Sequence, residues 1–286
     1  MKKMEYVKLN NGIRMPMIGF GVFEIPANQT AQCVFDALEC GYRMIDTAQA
    51  YFNEREVGEG IQKAIKELGI KREDIFLTTK VWVTEFDYEK TKSSIEESLK
   101  KLKTDYLDLV LIHQCLSNYY DAYRALENLY DEGKIKCIGI SNFSAERMAD
   151  IATFNRVVPA VNQVETHMFF QQYELHEWMK KYNIQHEAWG PLAQHRIKEI
   201  IGHPVVKEIA EKYGKTTIQI ALRHHVQRGI VVIPKTIHKD RMKQNLDIFD
   251  FELSKEDMLK LKELDENKSM WAEYDDPMIV KYAMEE

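Results

Sequence analysis

Four side chains of unlike chemistry, Asp46, Tyr51, Lys80 and His113, stand at or just past the ends of short apolar runs. The stretch 41–58, GYRMIDTAQAYFNEREVG, reads as a buried strand ending in Asp46, a tight loop carrying Tyr51, and a helix that opens near Asn53. Lys80 ends Ile-Phe-Leu-Thr-Thr-Lys, and His113 ends Leu-Asp-Leu-Val-Leu-Ile-His. Each residue has an ordinary structural role open to it. Asp46 suits a turn or cap, Lys80 can snorkel to solvent, and His113 can be a satisfied core histidine. Together, an acid, a phenol, an ammonium and an imidazole at neighbouring strand ends are expensive to bury without an acid–base purpose.

The elements that must bring them together repeat along the chain. Ahead of the repeat, residues 6–15 read as a hairpin, with Asn10-Asn11-Gly12 supplying a primed turn and Pro16 ending it. Short apolar runs then follow at 17–21, 44–46, 75–80, 107–113, 135–141, 160–165, 185–189 and 230–234. Helical periodicity fills the intervals at 30–39, 53–66, 88–102, 120–132, 145–154, 171–182 and 217–227, with 241–245 after the last run. Strands this short and apolar, alternating with helices, argue for an α/β fold in which a parallel sheet closes on itself: a (β/α)8 TIM barrel with an N-terminal β-hairpin. An open doubly wound sheet is the alternative. Two additional helices are expected at 205–213 and 254–264, the second opened by a Ser-Lys-Glu-Asp cap. No linker interrupts the chain, so residues 1–286 are expected to form one domain. The tail carries Trp271, Tyr274 and Tyr282, which either cover the barrel or line a substrate mouth.

Composition narrows the partners. With 39 basic and 45 acidic side chains the net charge is −6, which gives no electrostatic case for nucleic acid or an anionic membrane. The first residues lack the apolar core of a secretory signal, and no apolar run approaches a membrane span. Cys33, Cys40, Cys115 and Cys137 form no C-x-x-C pair, so neither a metal site nor disulfides are expected, and reduced thiols in the cytoplasm are the simpler reading.

The stretches GYRMIDTAQAYFNEREVG, FLTTKVW, DYLDLVLIH, GKIKCIGISNF, VPAVNQVETH and VVIPKTIHKDRMKQN, spread over 41–245, resemble the aldo-keto reductases, bacterial diketo-gluconate reductase-like members in particular. The resemblance implies NADPH-dependent reduction of aldehyde or ketone carbonyls to alcohols. It makes Asp46, Tyr51, Lys80 and His113 the catalytic tetrad: Tyr51 the proton donor, Lys80 the cation that stabilises its phenolate, Asp46 the anchor of Lys80, and His113 the group that orients the carbonyl. It further implies that Ser141, Asn142 and Gln163 hold the nicotinamide carboxamide and that Trp189 stacks on the ring, where tyrosine is usual. Gly190 and Leu192 fall at the pyrophosphate. Lys235, Thr236, Arg241, Gln244 and Asn245 match the adenosine 2′-phosphate pocket, where the two cations favour NADPH over NADH.

Phe23, Trp82, His113 and Trp271 are candidate substrate contacts, and the expected partner is a small carbonyl compound. A monomer is expected, with a homodimer as the alternative state. No G-x-G-x-x-G is present, since Gly19-Phe20-Gly21 stops after two glycines. Two other functions stay open: a non-catalytic, nucleotide-binding regulatory subunit on the same barrel, and an unrelated barrel enzyme such as a phosphate-sugar isomerase.

Overall fold

The computed structural model describes residues 4–271 and 277–285; Tyr274 and the side chain of Tyr282 lie outside what is described. The chain opens with the hairpin β1 (Tyr6–Lys8) and β2 (Arg14–Pro16). Its turn differs from the primed form expected. Gly12 is left-handed at φ 88° whereas Asn10 and Asn11 are not, and Leu9 and Ile13 close a three-residue loop. A single left-handed glycine after an ordinary turn satisfies that loop equally well. Asn10 Nδ2 donates to the carbonyl of Pro159 at 2.9 Å and Asn11 Nδ2 to that of Lys136 at 2.9 Å, so the hairpin is tied to the segments entering the sheet.

The strands β3 (Phe20–Gly21), β4 (Met44–Asp46), β5 (Phe76–Val81), β6 (Leu109–Ile112), β7 (Ile138–Ser141), β8 (Val161–Glu165), β9 (Gln185–Trp189) and β10 (Val231–Val232) pair in chain order, every pair parallel. A parallel bridge between Ile18 and Val232, with Gly19 N–H on the Val232 carbonyl at 2.8 Å, joins the first strand to the last and closes the barrel. Nearly every strand residue is buried, because side chains fill the barrel on one face and meet helices on the other.

The barrel's helices are α1 (Ala27–Cys40), α2 (Glu54–Leu68), α3 (Tyr88–Leu102), α4 (Tyr119–Asp131), α5 (Ala145–Phe154) and α6 (Tyr173–Lys181), followed by α7 (Ile197–Gly202), α8 (Pro204–Tyr213), α9 (Thr217–Gln227), α10 (Lys239–Leu246), α11 (Lys255–Lys262) and α12 (Met278–Glu285). The expected additional helices are α8 and α11; α7 and α12 join them. Local chemistry sets the boundaries. Asp87 caps α3 through the N–H groups of Glu89 and Lys90, and Thr216 with Gln219 forms a capping box on α9.

Helix α2 matters most for the site, because the Tyr51 loop leads into it. Its two glycines allow close packing: a Cβ on Gly58 would lie 2.5 Å from the Lys101 carbonyl, and one on Gly60 2.5 Å from that of Ala31. Its first turn is fixed by buried Asn53, which accepts from Thr47 Oγ1 at 3.1 Å and donates to the Val22 carbonyl at 3.0 Å. The loop is thus pinned to the ends of β3 and β4 before any site residue is considered.

Candidate active site

Strand register brings the expected groups to one end of the barrel. Lys80, wholly buried on β5, extends its ammonium to Asp46 Oδ1 at 2.5 Å, the Thr47 carbonyl at 3.1 Å and Tyr51 Oη at 3.1 Å. All three ammonium protons are therefore engaged. Beyond Asp46, its other oxygen, Oδ2, accepts from Gln163 Nε2 at 2.8 Å, and the same nitrogen donates to Glu187 Oε2 at 2.9 Å. Just past the end of β6, His113 packs edge-on to Trp82 at 4.9 Å and to the Tyr51 ring at 5.8 Å between centroids. Phe23 leans on Tyr51 at 4.9 Å.

Electrostatics follow from this burial. Desolvation alone would lower Lys80, but Asp46 and Tyr51 outweigh it and its pKa stands above the ordinary lysine value, so the ammonium is permanent at neutral pH. Burial raises the Tyr51 phenol, and Lys80 offsets only part of that rise. Lys80 acts in the direction expected of a cation beside a phenolate, but the net shift of the phenol is upward. The hydroxyl is therefore protonated at neutral pH, with the Lys80 ammonium beside it. His113 lies well below the ordinary 6.5 because burial and then Lys80 oppose its charging, leaving a neutral imidazole. Glu187 is pushed up to about 8 by burial and the neighbouring Asp46.

A cavity of about 760 Å3 lies over this cluster. Asp46, Tyr51, His113, Ser141, Asn142, Gln163, Trp189, Gly190, Leu192, Lys235, Phe23, Trp82 and Trp271 all line it. Lys80 is sealed beneath, behind Asp46 and Tyr51. Thr236, Arg241, Gln244 and Asn245 do not line the cavity; they lie on the segment after β10 and on α10, with Arg241 exposed and Asn245 buried.

Trp189 is held in plane by its indole N–H, which donates to Asn142 Oδ1 at 2.8 Å, and it meets Trp271 edge-on at 5.7 Å. Gly190, at φ 61°, occupies the left-handed region that favours glycine, which accounts for its presence after that tryptophan. Trp271 reaches the mouth because Glu165, at the end of β8, accepts from Ser269 Oγ at 2.5 Å and from Met270 N–H at 2.8 Å.

Several residues of the site were not anticipated. Gln49 accepts the Trp82 N–H at 3.1 Å and steadies the Tyr51 loop. Glu24, Gln194 and His195 line the cavity, and Glu187 joins the buried network. The one sequence signal for Glu187 was an acid inside an otherwise buried strand.

The aldo/keto reductase family model matches residues 17–266. The chain belongs to this family. Aldo/keto reductases similar to it include the glyoxal reductase of Bacillus subtilis (strain 168), 45% identical over 264 residues that cover 92% of this chain and 93% of the relative. The methylglyoxal reductase DkgA of Escherichia coli (strain K12) is 39% identical over 267 residues, covering 92% and 94%. Among solved structures, MGS-M4, an aldo-keto reductase enzyme from a Medee basin deep-sea metagenome library, superposes with a TM-score of 0.91 at 46% identity, covering 94% of this chain and 98% of that one. Membership in the family fixes the closed barrel and the class of chemistry, carbonyl reduction by an oxidoreductase.

Proposed function

We propose that this aldo/keto reductase reduces small aldehydes or ketones to alcohols with NADPH, Tyr51 serving as the general acid. One observation carries the reading. The Tyr51 hydroxyl lies 3.1 Å from an ammonium that Asp46 holds at 2.5 Å, at the floor of a cavity that His113 also lines.

The chain's residues suit the cofactor on three counts. Trp189 presents an indole fixed by Asn142. Gln163 lines the cavity with both amide hydrogens already given to carboxyl groups, which leaves its oxygen free to accept. Lys235 and Arg241 are exposed cations without an ion-pair partner among the described residues, ready for an additional phosphate. Ser141, Asn142, Gln163 and Trp189 would hold the nicotinamide end, Gly190 and Leu192 the pyrophosphate, and Lys235, Thr236, Arg241, Gln244 and Asn245 the adenosine 2′-phosphate. NADPH, when bound, supplies the hydride.

The protein supplies the proton and the field. As negative charge grows on the carbonyl oxygen, Tyr51 gives up its proton, and Lys80 stabilises the phenolate left behind. Asp46 keeps the ammonium in place. His113 Nδ1 is buried without a partner among the described residues, so the proton of the neutral ring belongs on Nε2, where it donates to the same oxygen. Phe23, Trp82 and Trp271 wall the substrate side.

The non-catalytic alternative is not favoured, since Asp46, Tyr51 and His113 line one cavity and Lys80 contacts two of them from beneath. Four free thiols, three of them buried, suit a reducing compartment, and we place the reaction in the cytoplasm.

The test is a panel of aldehydes and ketones followed by NADPH oxidation, with NADH in parallel. Turnover should favour NADPH, and Arg241→Ala should narrow that preference. Tyr51→Phe should lose about 10²–10⁴-fold in kcat while binding NADPH as before. A variant that keeps most of its rate would refute the assignment.

A further inference from the structure

We propose that Glu187, outside the expected set of contacts, is a positioning residue: with Asp46 it locks the Gln163 amide so that Gln163 Oε1 is the acceptor presented to the nicotinamide carboxamide. The inference rests on the NADPH reading above.

Gln163 and Glu187 are register partners on adjacent parallel strands, so their side chains leave the sheet on the same side. The two hydrogen bonds from Gln163 Nε2, to Glu187 Oε2 and Asp46 Oδ2, use both amide hydrogens. A flipped amide would set its oxygen against the Asp46 carboxylate, so the donor count dictates the orientation. The other amide proposed at the nicotinamide end, Asn142, keeps only a second lone pair of its Oδ1 open. Asn142 Oδ1 takes the Trp189 indole, while its Nδ2 donates to the His113 carbonyl at 3.2 Å and to Gln114 Oε1 at 3.1 Å.

Packing does not explain an acid at position 187. Glu187 is wholly buried, and its second oxygen, Oε1, has no partner among the described residues. Methionine would fill a similar volume without the cost of burying a carboxyl group. The hydrogen bond to Gln163 is what the carboxyl contributes. With Asp46 as the single anchor, the amide is free to swing and its oxygen leaves the cavity wall.

The experiment compares two ligands on the same protein: NADPH, and 2′,5′-ADP, which shares the adenosine 2′-phosphate but has no nicotinamide. Dissociation constants are measured by fluorescence and calorimetric titration for the wild type, Glu187→Met and Glu187→Gln. Glu187→Met should weaken NADPH about tenfold and leave 2′,5′-ADP within twofold. Glu187→Gln, which keeps an acceptor oxygen and the side-chain length, should hold both ligands within twofold.

Unchanged NADPH affinity in Glu187→Met overturns the proposal, as does equal weakening of both ligands, the mark of a merely structural role. Should Glu187→Met not fold, a tenfold loss of NADPH affinity in Glu187→Gln overturns it by itself. Failure of the cofactor reading shows separately, in the wild type: if NADPH binds no more tightly than 2′,5′-ADP, or neither binds, there is no nicotinamide contact for Gln163 to make.

Discussion

Lowering the pH from 7 to 5 should cost this barrel a few kcal/mol of stability, because four histidines are buried neutral behind β8 and β9. His176 and His186 face each other through Nδ1 atoms 3.1 Å apart; His186 also meets Thr166 Oγ1, and His176 the Arg228 carbonyl. His224 and His225 are fully buried on α9, with no hydrogen-bond partner for any ring nitrogen among the described residues. Desolvation, joined by Arg228 and other neighbouring positive groups, lowers His176 to about 4 and His224 to about 3, and holds His186 and His225 well below 6.5.

The unfolded chain takes up these protons near pH 6.5 and the folded chain does not. The contribution is therefore complete above 6.5 and is lost as pH falls from there toward the folded values. A histidine held neutral over this interval costs about 2 kcal/mol between pH 7 and 5, so His176 and His224 together cost about 4 kcal/mol, and His186 and His225 act with the same sign. Glu187 works the other way. Raised by burial and by Asp46, it binds its proton in the folded state first and returns part of that loss over the same interval. Glu54, also raised by burial, has the same sign. Four histidines against two carboxyl groups leave a net loss of a few kcal/mol, set against a typical total of about 5–15. Urea denaturation followed by circular dichroism at pH 7 and pH 5, at constant ionic strength, measures the difference directly. His224→Leu should shrink it by about 2 kcal/mol. A stability that stays level or rises from pH 7 to 5 refutes the reasoning.

Two other expectations concern the site. Lys80→Met leaves the Asp46 carboxylate buried without its ion pair and should cost about 3–5 kcal/mol in chemical denaturation. Adding Asp46→Asn should recover part of that stability but none of the turnover; recovery of activity would show that the ammonium is structural only. On the substrate side the cavity is aromatic, and its charged lining residues are Glu24, Asp46 and Lys235, with Lys235 assigned to the cofactor. Benzaldehyde should therefore exceed 4-carboxybenzaldehyde by about tenfold or more in kcat/KM, about 1.4 kcal/mol. Glu24→Lys should close much of the gap, and equal efficiencies in the wild type would show that the mouth does not sense charge.

How far the sequence could be read turned on where each residue's signal lies. Asp46, Lys80 and His113 were legible because a polar residue at the end of an apolar run breaks the run's own pattern, and the strand–helix alternation told which end of the barrel they share. The interior register is a different matter. Whether Glu187 points into the barrel, and whether it does so level with Gln163, depends on how β9 is staggered against β8, a pairing between strands some twenty residues apart that no local window contains. The hairpin turn failed for the opposite reason: Asn11-Gly12 is compatible with two loop geometries, and the pairing of Leu9 with Ile13 chooses between them. Trp189 stands between these cases. Its place at a strand end was plain, but what fixes its ring is the side-chain Oδ1 of Asn142, a residue itself turned into the left-handed region at φ 66° at the end of β7. The same turn sends Asn142 Nδ2 to the His113 carbonyl, so one amide couples the imidazole's strand to the indole. Chain positions 113, 142 and 189 are thus joined through one side chain, which is why the candidate site cannot be understood one strand end at a time.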